Sequence, residues 1–273
     1  GVNCTTGTDN TLIGAVSGDA STTGERNVTL GYHALGGDVA GNRTVAIGFA
    51  TLSSQNFSTS TLTYNTAVGY ATGSSMTTGV QNTLIGGLTG DALTDADYNV
   101  AVGQGALTTD TLGSKTVAIG TFALANQNFT TATDSFNVAV GYDSGNALTT
   151  GTSNTIIGGE AGSALTTGSE NVLIGKEAGK NNVDLTTGSN NIVIGFQSRV
   201  ASASQADTIV IGKQVTANTD DGFTFGLGNT DSLIVFGQTS ISAPSDERFK
   251  EEIKDETIGL NFVNDLRPVT FRW

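Results

Sequence analysis

A five-residue phrase returns along most of this chain: Asn65-Thr66-Ala67-Val68-Gly69, Asn99-Val100-Ala101-Val102-Gly103, Asn137-Val138-Ala139-Val140-Gly141 and Asn154-Thr155-Ile156-Ile157-Gly158. Its glycines fall at 14, 31, 48, 69, 86, 103, 120, 141, 158, 175, 195 and 212, a spacing of 17 residues with excursions to 20 or 21. A 72-residue period lies on top. It carries Thr44 onto Thr116, Gln55-Asn56-Phe57 onto Gln127-Asn128-Phe129 and Gly69-Tyr70 onto Gly141-Tyr142. Units this short bury a core only by stacking on one another, which points to a solenoid.

Each position in the phrase has a physical reading. The residue before the glycine is Ile, Val or Leu in all twelve copies, and three before it stands Thr, Val or Ile. These two share a face of a short strand, because side chains alternate. Between them lies Ala, Leu, Ile or Val in eleven copies, Thr29 being the exception, so the second face is apolar too. The pattern predicts parallel strands buried on both faces. Four before the glycine comes Asn in nine copies and Thr in three (Thr44, Thr116, Thr208), which predicts an amide ladder at one corner of the stack. The glycine permits a sharp turn with positive φ.

A second punctuation follows ten residues later, as in Thr22-Thr23-Gly24, Thr77-Thr78-Gly79, Thr149-Thr150-Gly151 and Thr166-Thr167-Gly168. Each unit thus holds two extended segments and two turns. The fold expected is all-β, a parallel β-solenoid or β-roll of about twelve coils, roughly 58 Å long at about 4.8 Å per coil. The 21-residue units predict extra loops that project on one face around Phe57 and Phe129.

Composition agrees. The 273 residues include Gly 37 but Pro 2, and we count 43 threonines. Abundant Gly penalises helix and Thr leans towards strand, while collagen would need far more Pro. Cys4 is the only cysteine, so there is no disulfide framework. The formal charge of −13 disfavours nucleic acid as a partner. No run of about 18 apolar residues predicts membrane insertion. The chain opens Gly1-Val2-Asn3-Cys4, without an initiator Met, as a fragment or processed product would. A 17-residue coil of small apolar residues encloses little volume, so three chains packed about an axis are expected to complete the core.

Three segments are expected: a repeat shaft over 1–212, a β-rich neck over 213–244 and a distinct module over 245–273. The neck contains Phe223, Phe225, Leu227, Leu233, Ile234, Val235 and Phe236. The last segment has 12 charged residues in 29, against 25 in the preceding 244, and Pro244 and Pro268 fall at or beyond this boundary.

Few residues invite a site assignment. His33 is the only histidine, which leaves a zinc site or Ser-His-Asp triad unsupported. Gly226-Leu227-Gly228 lacks the third glycine and βα context of a nucleotide loop. Asp220-Asp221 offers carboxylates to a hard cation but not the spaced ligands of a calcium loop, and a solvated turn is the plainer reading. Tyr70 and Tyr142 suit either glycan stacking or surface packing. The Asn-x-Ser/Thr sequons at Asn27, Asn42, Asn56 and Asn128 arise readily in an Asn/Thr-rich chain. No cofactor or metal is expected.

The phrase Asn-x-Ala-Val/Ile-Gly, over residues 10–212, resembles the head repeats of trimeric autotransporter adhesins and repeats of viral and phage fibre proteins. Further on, Ser245-Asp246-Glu247-Arg248-Phe249-Lys250-Glu251-Glu252-Ile253 and Leu266-Arg267-Pro268-Val269-Thr270-Phe271-Arg272-Trp273 resemble the start of the intramolecular chaperone domain of endosialidases and other phage tail spikes and fibres. Phe249 stands where that pattern has Leu. The resemblance implies a domain, partly α-helical and longer than 29 residues, that trimerises and guides folding of the preceding β-structure. It also implies autocleavage of the Pro244-Ser245 bond, with Ser245 as nucleophile and Lys250 as its base. Resemblance aside, Arg248 to Asp255 reads as a solvated helix start with Ser245 as N-cap. The function expected is a homotrimeric tail or capsid fibre of a virion, binding a host cell-surface glycan or protein receptor. A bacterial surface adhesin or extracellular filament is the first alternative, and a glycan-degrading tail spike the second.

Overall fold

The computed structural model describes residues 3–180, 183–217, 219–228 and 232–237, and these are all-β, with no helix among them. Thirteen parallel strands stack in one sheet: Thr11–Ile13, Val28–Leu30, Val45–Ile47, Thr66–Val68, Thr83–Ile85, Val100–Val102, Val117–Ile119, Val138–Val140, Thr155–Ile157, Val172–Ile174, Ile192–Ile194, Ile209–Lys213 and Gly222–Leu227. Neighbours pair position for position, so Val100, Ala101 and Val102 lie beside Val117, Ala118 and Ile119. A final strand, Ser232–Val235, runs antiparallel to Gly222–Leu227. The parallel β-solenoid expected from the repeat is therefore the fold, with one coil more than the repeat count. The additional strand, Gly222–Leu227, lies in the stretch read as a neck and sets Gly226 beside Gly212.

Two backbone features frame every strand. Five residues before the glycine stands a non-glycine residue with φ between 51° and 62°, from Asp9 through Tyr64 and Phe136 to Asp221. The glycine itself has φ between 125° and 150° in all thirteen coils, a region open only to glycine. There the coils also approach closely. A Cβ placed on Gly103 would lie 2.5 Å from the carbonyl of Gly120 in the next coil.

The middle residue of each strand points inside. Ala46, Ala67, Ala101, Ala118, Ala139 and the larger Leu84, Ile156, Leu173, Val193 and Val210 are buried. The rest of the core comes in two forms. In the coils of Gly31, Gly48, Gly103 and Gly120, a buried leucine (Leu35, Leu52, Leu107, Leu124) sits four residues after the glycine. In the coils of Gly69, Gly86, Gly141 and Gly158 that place is glycine, and the apolar side chain arrives three residues later as Met76, Leu93, Leu148 or Leu165. A Cβ on Gly73 would meet Leu52 at 2.8 Å and Leu84 at 3.0 Å, so this glycine makes room for the leucines around it. Two coils of each kind, in turn, make up the 72-residue period.

The corner asparagines are buried and tie consecutive coils together. Asn82 Oδ1 accepts the N–H of Asn99 (2.9 Å), and its Nδ2 donates to the carbonyl of Ala96 (2.7 Å). Asn154 does the same with Asn171 N–H (3.0 Å) and Gly168 O (2.9 Å). The expected ladder exists, but its main bonds run from side chain to backbone. Direct amide-to-amide contacts, such as Asn171 Nδ2 to Asn154 Oδ1 at 3.1 Å, are secondary.

The 21-residue units depart from expectation. Phe57 and Phe129 are buried rather than projecting. Their additional residues fold back, and Thr61–Leu62 pairs with Gly41–Asn42 as Thr133–Asp134 does with Gly113–Ser114. The aromatic ring finds more apolar contact against the coil than in water, which draws the insertion inward.

Three substitutions test this scheme. Gly103→Ala should cost roughly 3 kcal/mol or more, from backbone strain and collision with the next coil, whereas Gly87→Ala should stay within about 0.5 kcal/mol. Position 87 is open, with nothing within 4 Å of an added Cβ. Asn82→Ala should cost roughly 2–4 kcal/mol by orphaning a buried N–H and a buried carbonyl. Urea denaturation followed by circular dichroism reads all three.

Candidate functional site

The outward face of the sheet is the most extended surface feature. The triplet before each glycine turns its first and third residues away from the core, giving twenty-six positions over thirteen strands, and the two last parallel strands run on past the glycine to exposed Lys213 and Leu227. Four of the twenty-six are threonine (Thr11, Thr66, Thr83, Thr155) and the others are Val, Ile, Leu or Phe. They are half-buried or exposed, Ile13 at 56% and Leu30 at 46% being among the most open. The expectation of strands buried on both faces is thus corrected for the single chain. The middle residue is enclosed by its own coil, but the flanking two face out, because a flattened coil has only one inside.

Exposed aromatic columns flank this stripe. Directly after the glycine, Tyr32, Phe49 and Tyr70 stack on three successive coils, with ring centroids 5.3 and 5.4 Å apart and planes within 17°. In the left-handed column before the strand stand Tyr64, Tyr98 and Phe136. Arg43 lies 5.4 Å over the Tyr64 ring and donates to its hydroxyl (2.6 Å), and Lys115 lies 5.3 Å over Phe136. These pairs are equivalent under the 72-residue shift.

Inside the solenoid lies a polar network that the repeat contained but that was not singled out from the sequence. Asp38 accepts from Gln55 Nε2 (2.8 Å), Phe57 N–H (3.0 Å) and Gly41 N–H (3.3 Å). Gln55 Oε1 in turn accepts from Asn65 Nδ2 (2.9 Å), and Thr44 and Thr63 share a hydroxyl contact of 2.6 Å. The copy 72 residues on joins Asp110, Gln127, Asn137, Thr116 and Ser135 with the same partners. All of these side chains are buried. Recurrence of Asp and Gln at the shift was the available signal. Its members hydrogen-bond to one another and to backbone groups inside the coils.

Pro244, Ser245 and Lys250 lie outside the described residues, as does all of 245–273. Tyr70 is exposed but belongs to the stack, so Phe49 covers one of its faces. Tyr142 stands exposed beside Asp143, whose charge holds its phenol above the usual range. His33 sits 6.2 Å from the Tyr32 ring with φ of 56°. Exposed Cys4 donates to Gly7 O (3.3 Å). Asp220 accepts from Ala206 N–H (3.3 Å), and the carbonyl of Asp221 accepts from Phe236 N–H. No group of three metal-ligating side chains occurs among the described residues. Asn27 is buried, with its amide bonded to Thr44 N–H and Gly41 O, while Asn56 is exposed.

Comparison with protein-family models, curated proteins and solved structures finds no match.

Burial raises the Asp38 carboxyl above its ordinary value of 3.8, only partly offset by the hydrogen bonds from Phe57, Gln55 and Gly41. A raised folded-state pKa means that the folded protein binds this proton more tightly than the unfolded chain. The residue's stabilising contribution is therefore full below the unfolded pKa and is lost as pH rises through the folded one. Thermal melts of wild type and Asp38→Asn from about pH 4 to about pH 7 should show the wild type losing ground to the variant as pH rises. A difference in melting temperature that does not change with pH would contradict this.

Proposed function

We propose that this chain is the shaft of a homotrimeric fibre carried by a virion, as part of a tail or capsid fibre that contacts a host cell-surface glycan or protein receptor. The observation that carries the reading is a parallel solenoid whose outward triplet positions are uncharged, and all but four of them apolar, from the first parallel strand to the last. In sequence it is followed by two ordered motifs resembling the start of a trimerising intramolecular chaperone. The adhesin reading remains second, favoured by the likeness of the Asn-x-Ala-Val/Ile-Gly phrase to adhesin heads. A glycan-degrading role is third, and incubation with host polysaccharide should release no reducing ends.

Residues 245–273 begin a self-cleaving module in this reading. The Ser245 hydroxyl attacks the carbonyl carbon of Pro244, forming an ester as the peptide C–N bond breaks. The neutral Lys250 amine takes the hydroxyl proton and returns it to the amine released as the new N-terminus. Water then hydrolyses the ester and frees the shaft.

Mass spectrometry of the complete gene product should find wild type cut between Pro244 and Ser245, and Ser245→Ala and Lys250→Ala uncut. An intact wild type would overturn the cleavage assignment. Immunogold labelling with antibodies to the shaft should mark fibres on particles; label confined to bacterial surfaces would transfer the chain to the adhesin reading.

A further inference from the structure

We infer that the outward face of the thirteen-stranded sheet is an interface between copies of this chain, packed parallel and in register. The inference rests on the homotrimeric reading above and specifies the surface that would make it.

The stripe runs the full length of the parallel stack. Twelve steps of about 4.8 Å, and a width of about 10 Å for two outward side chains, give about 600 Å² of continuous apolar surface. That reaches the upper end of what a monomer exposes in its largest patch, roughly 300–600 Å². In a trimer this face is shared between two neighbours, about 300 Å² to each before the flanking Tyr32, Phe49 and Tyr70 are added, against roughly 800 Å² per partner in a standard two-body interface.

None of the twenty-six outward positions is charged, in a chain of net charge −13. Residues 44–90 hold no charge at all, and elsewhere the charged residues lie off these positions, as do Arg26, Arg43 and Lys115 in the left-handed column; Lys176 and Lys213, directly after the glycine, stand at the edge of the stripe. Clearing charge from one face throughout is what an interface core requires.

The occupant is a second copy because of the face's periodicity. Branched side chains stand in two columns at one coil spacing over thirteen coils, and a chain with the same repeat and length can match every step. In a cyclic assembly about an axis along the stack, equivalent residues sit at equal height. Each coil then meets its own sequence, and the bulky Phe223 and Phe225 meet their counterparts rather than the narrow end at Thr11 and Ile13.

Sedimentation equilibrium of the chain should give about three times the chain mass, and Val102→Asp with Ile119→Asp about a threefold lower value with the β circular dichroism signal retained. A second measurement does not depend on that variant folding. In a Cys4→Ser background, Val102→Cys and Ile157→Cys chains are co-expressed, oxidised and digested. Disulfides joining 102 to 102 and 157 to 157 support the in-register interface. Disulfides joining 102 to 157, absence of either homotypic disulfide, or a monomeric wild type overturns it. A two-chain mass with homotypic disulfides supports the face and overturns the count of three.

Discussion

The amide at the corner of each coil is the interaction on which the stack depends. A parallel ladder can satisfy the backbone only while the chain is extended, and a coil must turn out of extension twice. At each turn an N–H and a carbonyl face the interior, where an unpaired group costs about 1–3 kcal/mol. Asparagine is short enough to stay in the corner and carries both a donor and an acceptor. Asn27 takes the N–H of Thr44 and gives to the carbonyl of Gly41, both in the following coil. Three corners hold Thr, which cannot do both, and near each of these a glutamine supplies the amide. Gln55 and Gln127 donate to Thr44 and Thr116, and Gln205 lies 3.3 Å from Thr208 while donating to Thr219 O at 2.6 Å. Gln205 takes over the bond to a backbone carbonyl, whereas Gln55 and Gln127 direct their amides to the side chains of Asp38 and Asn65 and of Asp110 and Asn137.

A stack of near-identical coils has a second difficulty, because slipping by one coil preserves every strand pairing. The alternation of core types removes this degeneracy. Leu52 fills the space left by Gly73, and Leu124 that left by Gly145. Leucine coils and glycine coils come in consecutive pairs, so the match that a changed stacking order loses is the one at the boundary between pairs, Leu52 with Gly73 and Leu124 with Gly145. Overpacking and cavities each cost about 1–3 kcal/mol or more. The Asp38–Gln55 and Asp110–Gln127 pairs act in the same sense, since a slipped carboxylate would lose its amide donor inside the protein. The 72-residue period is a register code written in side-chain volume and hydrogen bonding.

Much of this was legible in the sequence because short-range rules dominate a solenoid. Glycines, corner asparagines and the apolar triplet are local features, and a repeat multiplies them until chance is excluded. What escaped depends on distant partners or on which way a surface faces. Gly222–Leu227 went uncounted because Gly226 follows Gly212 by 14 residues rather than 17, and its corner position holds Gly222 instead of Asn. The folding-back of the Phe57 loop follows from Asp38, nineteen residues earlier, accepting its N–H. An apolar triplet reads alike whether its outer residues meet a protein core or water, so the pattern at Val100–Val102 did not distinguish them. For Ser245 and Lys250 the only signal is motif likeness, since nothing in the coil rules speaks to residues beyond the repeat.

The division of apolar residues within each strand bears on how such a chain folds. One residue of three enters the coil, and in five of the strands it is only alanine. The two larger, branched residues go outside. At about 25 cal/mol per Å², covering an outward stripe of about 600 Å² would contribute up to about 15 kcal/mol per chain, an upper bound. Domains of ordinary size are stable by about 5–15 kcal/mol in total. For a chain whose interior is so thin, covering this face is comparable to everything else that favours the folded state. If copies of the chain cover this face, as proposed above, folding and association become one process, because each coil then completes its burial only against a neighbouring chain. On the homotrimeric reading proposed above, that coupling would give a physical reason for a trimerising segment after the repeat in sequence: high local concentration of three chains would substitute for the core that a single chain lacks.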